Sequence, residues 1–144
     1  MQSPLYTRPP EKPVVLYDGS CKFCTVHVKK LLALAQPGAI EALSFQEPGI
    51  LDRFPGLSHE ACMQAMQLIT PEGRIYTGFE AAVRALATRR LIGWLAYLYY
   101  LPGVRQLCNW LYRWIAANRY RFLGKTVANQ ACPEGTCSLH AGRQ

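Results

Sequence analysis

Acidic residues are scarce in this chain where basic ones are dense. Residues 81–144 carry 9 Lys or Arg against Glu134 alone, a net of +8. Residues 1–80 carry 7 Lys or Arg and 8 Asp or Glu, a net of −1, so the overall +7 belongs to the C-terminal half. Such asymmetry fits an anionic partner, or a solvated face of arginine-bearing helices. Long apolar runs are also missing. The longest, Leu91 to Leu101, contains Gly93 and is about half of the roughly 20 residues a membrane-spanning helix needs. Met1 to Pro13 has prolines and charges but no apolar h-region of a secretory leader. Internal repeats and low-complexity tracts are absent, which excludes a solenoid or a disordered linker. The expectation is a cytoplasmic chain. There thiols stay reduced, and closely spaced cysteines signal catalysis or metal binding more than structural bridges.

What is there suffices for a core. Half of the 144 residues are apolar, enough to bury an interior without disulfide staples. After Pro9, Pro10 and Pro13, Val14-Val15-Leu16-Tyr17 reads as a strand buried on both faces, as a central parallel strand is. Asp18-Gly19-Ser20 breaks it. From Cys21 onward, Cys24, Val28, Leu31, Leu32 and Ala35 recur at helical spacing until Pro37-Gly38. Ile40 to Phe45 predicts a second strand, and a loop with Pro48-Gly49 and Pro55-Gly56 follows it. Ser58 is placed to cap a short helix ending near Ala65. Met66–Thr70 and Arg74–Thr77 flank Pro71-Glu72-Gly73 and predict a hairpin. Thr77 and Glu80 have capping-box spacing ahead of Ala82, Val83 and Leu86.

The expected order is therefore β-α-β-α-β-β-α, an α/β fold over residues 13–90. Residues 91–124 read as a helical extension of the same domain, and residues 125–144 as a cysteine-containing tail. In the extension, Pro102-Gly103 separates Leu91–Leu101 from a second helix. That helix carries Val104, Leu107, Cys108, Leu111 and Ile115 on one stripe and ends at Gly124.

Cys21 and Cys24 carry the clearest chemistry. Cys-x-x-Cys at a helix start puts two sulfurs within disulfide reach, and the orphan amides and partial positive charge there stabilise a thiolate. A lowered thiol pKa makes cysteine nucleophilic near neutral pH. Lys22 adds a nearby positive charge. On this reading Cys21 is the exposed attacking sulfur, and Cys24, on the apolar stripe, is the more buried resolving one. No organic cofactor or metal is needed. Asp18 would oppose a second anion if ionised and close; it could instead cap the turn or accept a proton from the buried thiol. The alternative for the pair is half of a zinc site completed by Cys132 and Cys137, with His140 nearby, in a structural or interaction module.

Val15-Leu16-Tyr17-Asp18-Gly19-Ser20-Cys21-Lys22-Phe23-Cys24 resembles the opening signature of the DCC family of thiol-disulfide oxidoreductases, named for Asp-x-x-Cys-x-x-Cys. A second stretch is similar to the same family: Tyr112, then Ala116-Ala117-Asn118-Arg119-Tyr120-Arg121-Phe122-Leu123-Gly124, then Cys132-Pro133. The resemblance covers roughly residues 13–133. It implies a thioredoxin-like fold and cytosolic disulfide exchange with a protein or small-thiol disulfide. Asp18, Cys21 and Cys24 carry over as functional positions; Arg119, Tyr120 and Arg121 carry over as a signature without an assigned role. Proteins of the wider thioredoxin group place a cis-proline before the third strand. Cys62 to Ala65 supplies none here, so substrate docking must differ.

Cys132 and Cys137 also read as a second redox pair, or as inert tail residues. Cys62 and Cys108 read as small buried hydrophobes, and His27 and His59 as ordinary packing or surface residues. The segment with Trp94, Tyr97, Tyr99, Tyr100, Trp110, Tyr112 and Trp114 among Arg105, Arg113, Arg119 and Arg121 has three readings. The commonest is that the aromatics pack onto the core while the arginines stay wet. A cationic aromatic helix can also lie on an anionic membrane surface, and binding to single-stranded nucleic acid is the weakest fit.

Overall fold

The structure is a computed structural model and describes residues 6–124. The apolar strand β1 (Val14–Tyr17) lies inside a four-stranded sheet of order β2-β1-β3-β4. It pairs in parallel with β2 (Glu41–Ser44) and antiparallel with β3 (Gln67–Ile69). The hairpin partner β4 (Ile75–Thr77) closes the far edge, antiparallel to β3. All four residues of β1 are buried, because helices or loops cover both faces of the sheet.

Strand alternation divides the interior. Val15, Tyr17, Ala42 and Leu68 face α1 (Lys22–Leu34), through Val28, Leu31 and Ala35, and α4 (Phe79–Leu86), through Ala81 and Ala85. Val14, Leu16, Leu43 and Ile69 pack on the opposite face with Phe45, Ile50, Phe54 and Cys62. The short helices α2 (Ile50–Arg53) and α3 (His59–Gln64) supply part of that second layer. Helices α5 (Arg90–Tyr99) and α6 (Val104–Leu123) complete the chain, and α6 packs against α1, α4 and α5. The sheet order and the helices on it make a thioredoxin-like α/β fold.

Several local expectations are corrected. Helix α2 falls inside the region read as loop. Thr77 does not cap α4: it is the last residue of β4, and its hydroxyl donates to Gln67 Oε1 at 2.8 Å, leaving Gly78 as the N-cap with no side-chain bond. The expected stripe of α6 is split, because Val104, Leu107 and Leu111 are exposed whereas Cys108 and Ile115 are partly buried beside Tyr112 and Arg119. The expectation of packed aromatics and wet arginines holds only in part: Arg105, Arg113 and Arg121 are exposed and Tyr99 is buried, as expected. Arg119 is instead buried, and Trp94, Trp110 and Trp114 are exposed. A buried carboxylate recruits the arginine inward, as described below, and that fixes which side of α6 faces the core.

Gly19 marks where the turn after β1 presses on β2. A Cβ there would lie 2.3 Å from Ser44 Oγ and 2.8 Å from Ser44 Cβ. Ser44 is itself buried, so it has little room to withdraw. Gly19→Ala is expected to lower the unfolding free energy by about 1–3 kcal/mol, the usual cost of overpacking, as measured by urea denaturation.

Candidate active site: a dithiol beneath the C-terminal helix

The end of β1 delivers Asp18 and the cysteines to one spot. Cys21 N–H donates to the Asp18 carbonyl at 3.2 Å, which closes the turn. Asp18 Oδ1 accepts from Ser20 N at 3.0 Å, Ser20 Oγ at 2.6 Å and Gln46 Nε2 at 3.3 Å. Of the roles open to Asp18, turn capping is the one these bonds display. Cys21 is the N-cap of α1, and its Sγ accepts from Cys24 N–H at 3.2 Å. A thiol sulfur thus takes the position that a serine or aspartate oxygen fills at ordinary helix starts.

This setting separates the two thiols. A hydrogen bond from the Cys24 thiol lowers the Cys21 pKa to about 7 against the cost of burial, helped by the Cys24 amide and the Arg119 charge and opposed by Asp18. The Cys24 thiol moves the other way, far above its ordinary value, because it donates to Cys21, is desolvated and faces the Cys21 thiolate. Both are free thiols, and so are Cys62 and Cys108. Cys62 is buried, and burial pushes its thiol up to about 11. Cys108 is only partly buried.

Helix α6 forms the roof. Arg119 Nη2 lies 3.5 Å from Asp18 Oδ2 in a buried ion pair, and the Tyr120 hydroxyl donates to the same oxygen. The Arg119 guanidinium also donates to the Met63 carbonyl, reaches Cys24 Sγ at 3.9 Å and lies over the Tyr120 ring. About two helical turns earlier, Tyr112 Oη accepts from Met66 N–H at 3.1 Å. Its ring rests on Gly78, where a Cβ would come within 3.1 Å and φ is +66°. The residues before β3, which hold no proline, are therefore tied by α6 side chains, and every described peptide bond is trans.

The expected exposure of the pair is reversed. Cys21 has no exposed surface, and Cys24 is the partly exposed one. Cys24 and Arg119 border a strongly apolar cavity of about 470 Å³ between α1, α4 and α6, lined further by Leu31, Phe79, Leu111 and Ile115. His27 and His59, read as ordinary packing or surface residues, both pack against aromatic rings: His27 stacks on Phe23 at 3.9 Å and bonds its carbonyl through Nδ1, and His59 sets an edge against Phe45. Lys22 is exposed. Arg121 is also exposed and takes no part in the ion pairs among the described residues.

The structure thus brings together Asp18, Cys21 and Cys24 and adds Arg119, Tyr120, Ser20 and Gln46. Arg119 and Tyr120 were visible in the sequence only as a signature. Ser20 and Gln46 carried no signal beyond their polarity. Cys132, Cys137 and His140 lie outside the described residues. Among the described residues no group of three His, Cys, Asp or Glu side chains could hold a metal ion.

Asp18 titrates with a definite sign. Burial pushes its carboxyl up, but hydrogen bonds from Ser20, Tyr120 and Gln46 outweigh that and hold it below its ordinary value. A depressed folded-state pKa stabilises the fold above the unfolded value of about 3.9, and this is lost as pH falls through the folded value. Thermal melts across acid pH are expected to show that loss in the native chain and less of it in Asp18→Asn. At neutral pH, Asp18→Asn leaves Arg119 buried without its counter-charge and is expected to cost about 3–5 kcal/mol.

Comparison with known proteins follows the same residues. No curated protein and no solved structure gives a significant match. The DCC1-like thiol-disulfide oxidoreductase family matches residues 15–125, from within β1 to just past α6, and so takes in both the dithiol and its roof. The chain belongs to the DCC1-like thiol-disulfide oxidoreductase family.

Proposed function

We propose that the protein performs thiol–disulfide exchange through Cys21 and Cys24, on protein or small-thiol disulfides. The observation that carries this reading is the opposite tuning of the two thiols, Cys21 down to about 7 and Cys24 well above its ordinary value. A thiol with a pKa near ambient pH combines a large thiolate fraction with retained nucleophilicity.

The Cys21 thiolate attacks one sulfur of the substrate disulfide, and a bond forms from Cys21 Sγ to that sulfur as the substrate bond breaks. The displaced thiolate takes up the proton that Cys24 gives up. Cys24 Sγ then attacks Cys21 Sγ, forms the intramolecular disulfide and expels the second substrate thiolate. Two electrons have passed from the dithiol to the substrate. In the reverse direction the oxidised pair accepts them.

Asp18 has a positioning role: it holds Arg119 and Tyr120 over the pair. Because Cys21 has no exposed surface, a macromolecular disulfide reaches it only when the Arg119–Tyr120 latch leaves Asp18. The thioredoxin group uses an open proline-bearing loop beside its dithiol, so this closed roof is the feature that sets substrate docking apart.

The test is exchange with a small disulfide and with a protein disulfide, followed across pH. The rate is expected to rise through about pH 7 as Cys21 ionises. Cys21→Ser should abolish turnover, and Cys24→Ser should trap a mixed disulfide on Cys21. A Cys21 pKa at the ordinary value of about 8.5, or full turnover by Cys21→Ser, would contradict the reading.

A further inference from the structure

The α5–α6 hairpin breaks the usual rule that tryptophan is highly buried on average. All three tryptophans of the chain lie on it, and Trp94, Trp110 and Trp114 are 61%, 64% and 51% exposed. Leu91, Trp94, Leu98 and Leu101 are spaced by three, four and three, which sets them along one face of α5 and the turn after it. All four are exposed, and Tyr99 on the opposite side is buried. Val104, Leu107, Leu111 and Trp114 repeat the same spacing on α6 and are likewise exposed. The partly buried side of α6, with Tyr112 and Arg119, is taken up by the dithiol site. Apart from Leu111, which also borders the cavity beside Cys24, these two apolar stripes have no such work.

Charge decides what covers them. Residues 81–124 contain no Asp or Glu. Arg90 lies one turn before Trp94, Arg113 three residues after Trp110, and Arg121 seven after Trp114, so each sits beside or within a stripe. All three arginines are exposed, and none is ion-paired among the described residues. Arg105, by contrast, is engaged by Glu80 at 3.7 Å. A second copy of the chain would set this arginine-rich surface against itself with no carboxylate to offset the repulsion. Residues 125–144 offer only Val127 and Leu139 as large aliphatic side chains, too few to cover three indoles.

We propose that the α5–α6 hairpin is a docking surface for an anionic lipid bilayer. Trp94, Trp110 and Trp114 seat in the interface, where the indole ring finds both an apolar and a hydrated environment. Arg90, Arg113 and Arg121 meet the phosphate headgroups. The protein lies on the membrane and does not cross it, since no described helix is long and apolar enough to span one. The inference rests on surface chemistry alone and is independent of the dithiol reading.

The full chain is titrated with vesicles of phosphatidylcholine alone and of phosphatidylcholine mixed with phosphatidylglycerol, and followed by tryptophan emission and co-sedimentation. A blue shift and co-sedimentation are expected on the anionic vesicles only, both reversed by high salt. Arg90→Gln, Arg113→Gln and Arg121→Gln are each expected to weaken partitioning roughly fivefold, the effect of one basic residue at an anionic surface. Trp94→Ala and Trp110→Ala should weaken it with the far-UV spectrum and thiol exchange in solution unchanged. Absence of binding, or equal binding to neutral vesicles, overturns the proposal. So does emission already blue-shifted without vesicles, a dimer in sedimentation that shields the indoles, or displacement from the vesicles by single-stranded nucleic acid.

Discussion

Asp18 has no exposed side-chain surface and remains ionised at neutral pH. A charge in that position is tolerated only where donors and a counter-charge replace water. The donors come from separate parts of the chain: Ser20 in the turn after β1, Gln46 in the loop after β2, and Arg119 and Tyr120 on α6. Satisfying one carboxylate therefore ties the end of the central strand, a neighbouring loop and the C-terminal helix into one site. The cysteines sit inside that knot. Cys21 follows Asp18 by three residues, and Arg119 reaches from Asp18 to Cys24.

On the proposed reading the knot governs access to Cys21 more than its acidity. The largest influence on Cys21 is the hydrogen bond from Cys24, two positions deeper in the first turn of α1 than the helix start. Arg119 and Asp18 act on Cys21 with opposite signs, and both are smaller influences. Removing α6 would thus uncover a thiol that is already acidic. The same helix divides its surface between two tasks: one side closes over the dithiol site, and the other leaves Trp110, Trp114 and two arginines without an ion pair among the described residues, Arg113 and Arg121, to the solvent.

Much of this was legible before the fold was known. A fully apolar Val14–Tyr17 ahead of Asp-x-x-Cys-x-x-Cys located the central strand and the helix start, because burial on both faces and helical periodicity are local signals. The hairpin around Pro71-Glu72-Gly73 was legible for the same reason. The relation between Asp18 and Arg119, separated by most of the chain, was not, since no local pattern reveals which arginine a buried carboxylate will draw inward. That missing contact accounts for the phase of α6 and, with it, the exposure of Trp110 and Trp114. The capping role read for Thr77 failed through tertiary competition, as Gln67 on the neighbouring strand captures its hydroxyl.

The most direct measurement is the rate at which Cys21 is alkylated across pH, read by mass spectrometry in the native chain and in Tyr120→Phe. Loss of the Tyr120 hydroxyl frees one donor from Asp18 and loosens the roof while leaving Cys24 in place. The limiting rate is expected to rise in the variant with the midpoint unchanged at about 7. Equal rates in the two proteins, or a midpoint that moves with the rate, would contradict the claim that α6 controls access to a thiol whose acidity is set within the first turn of α1.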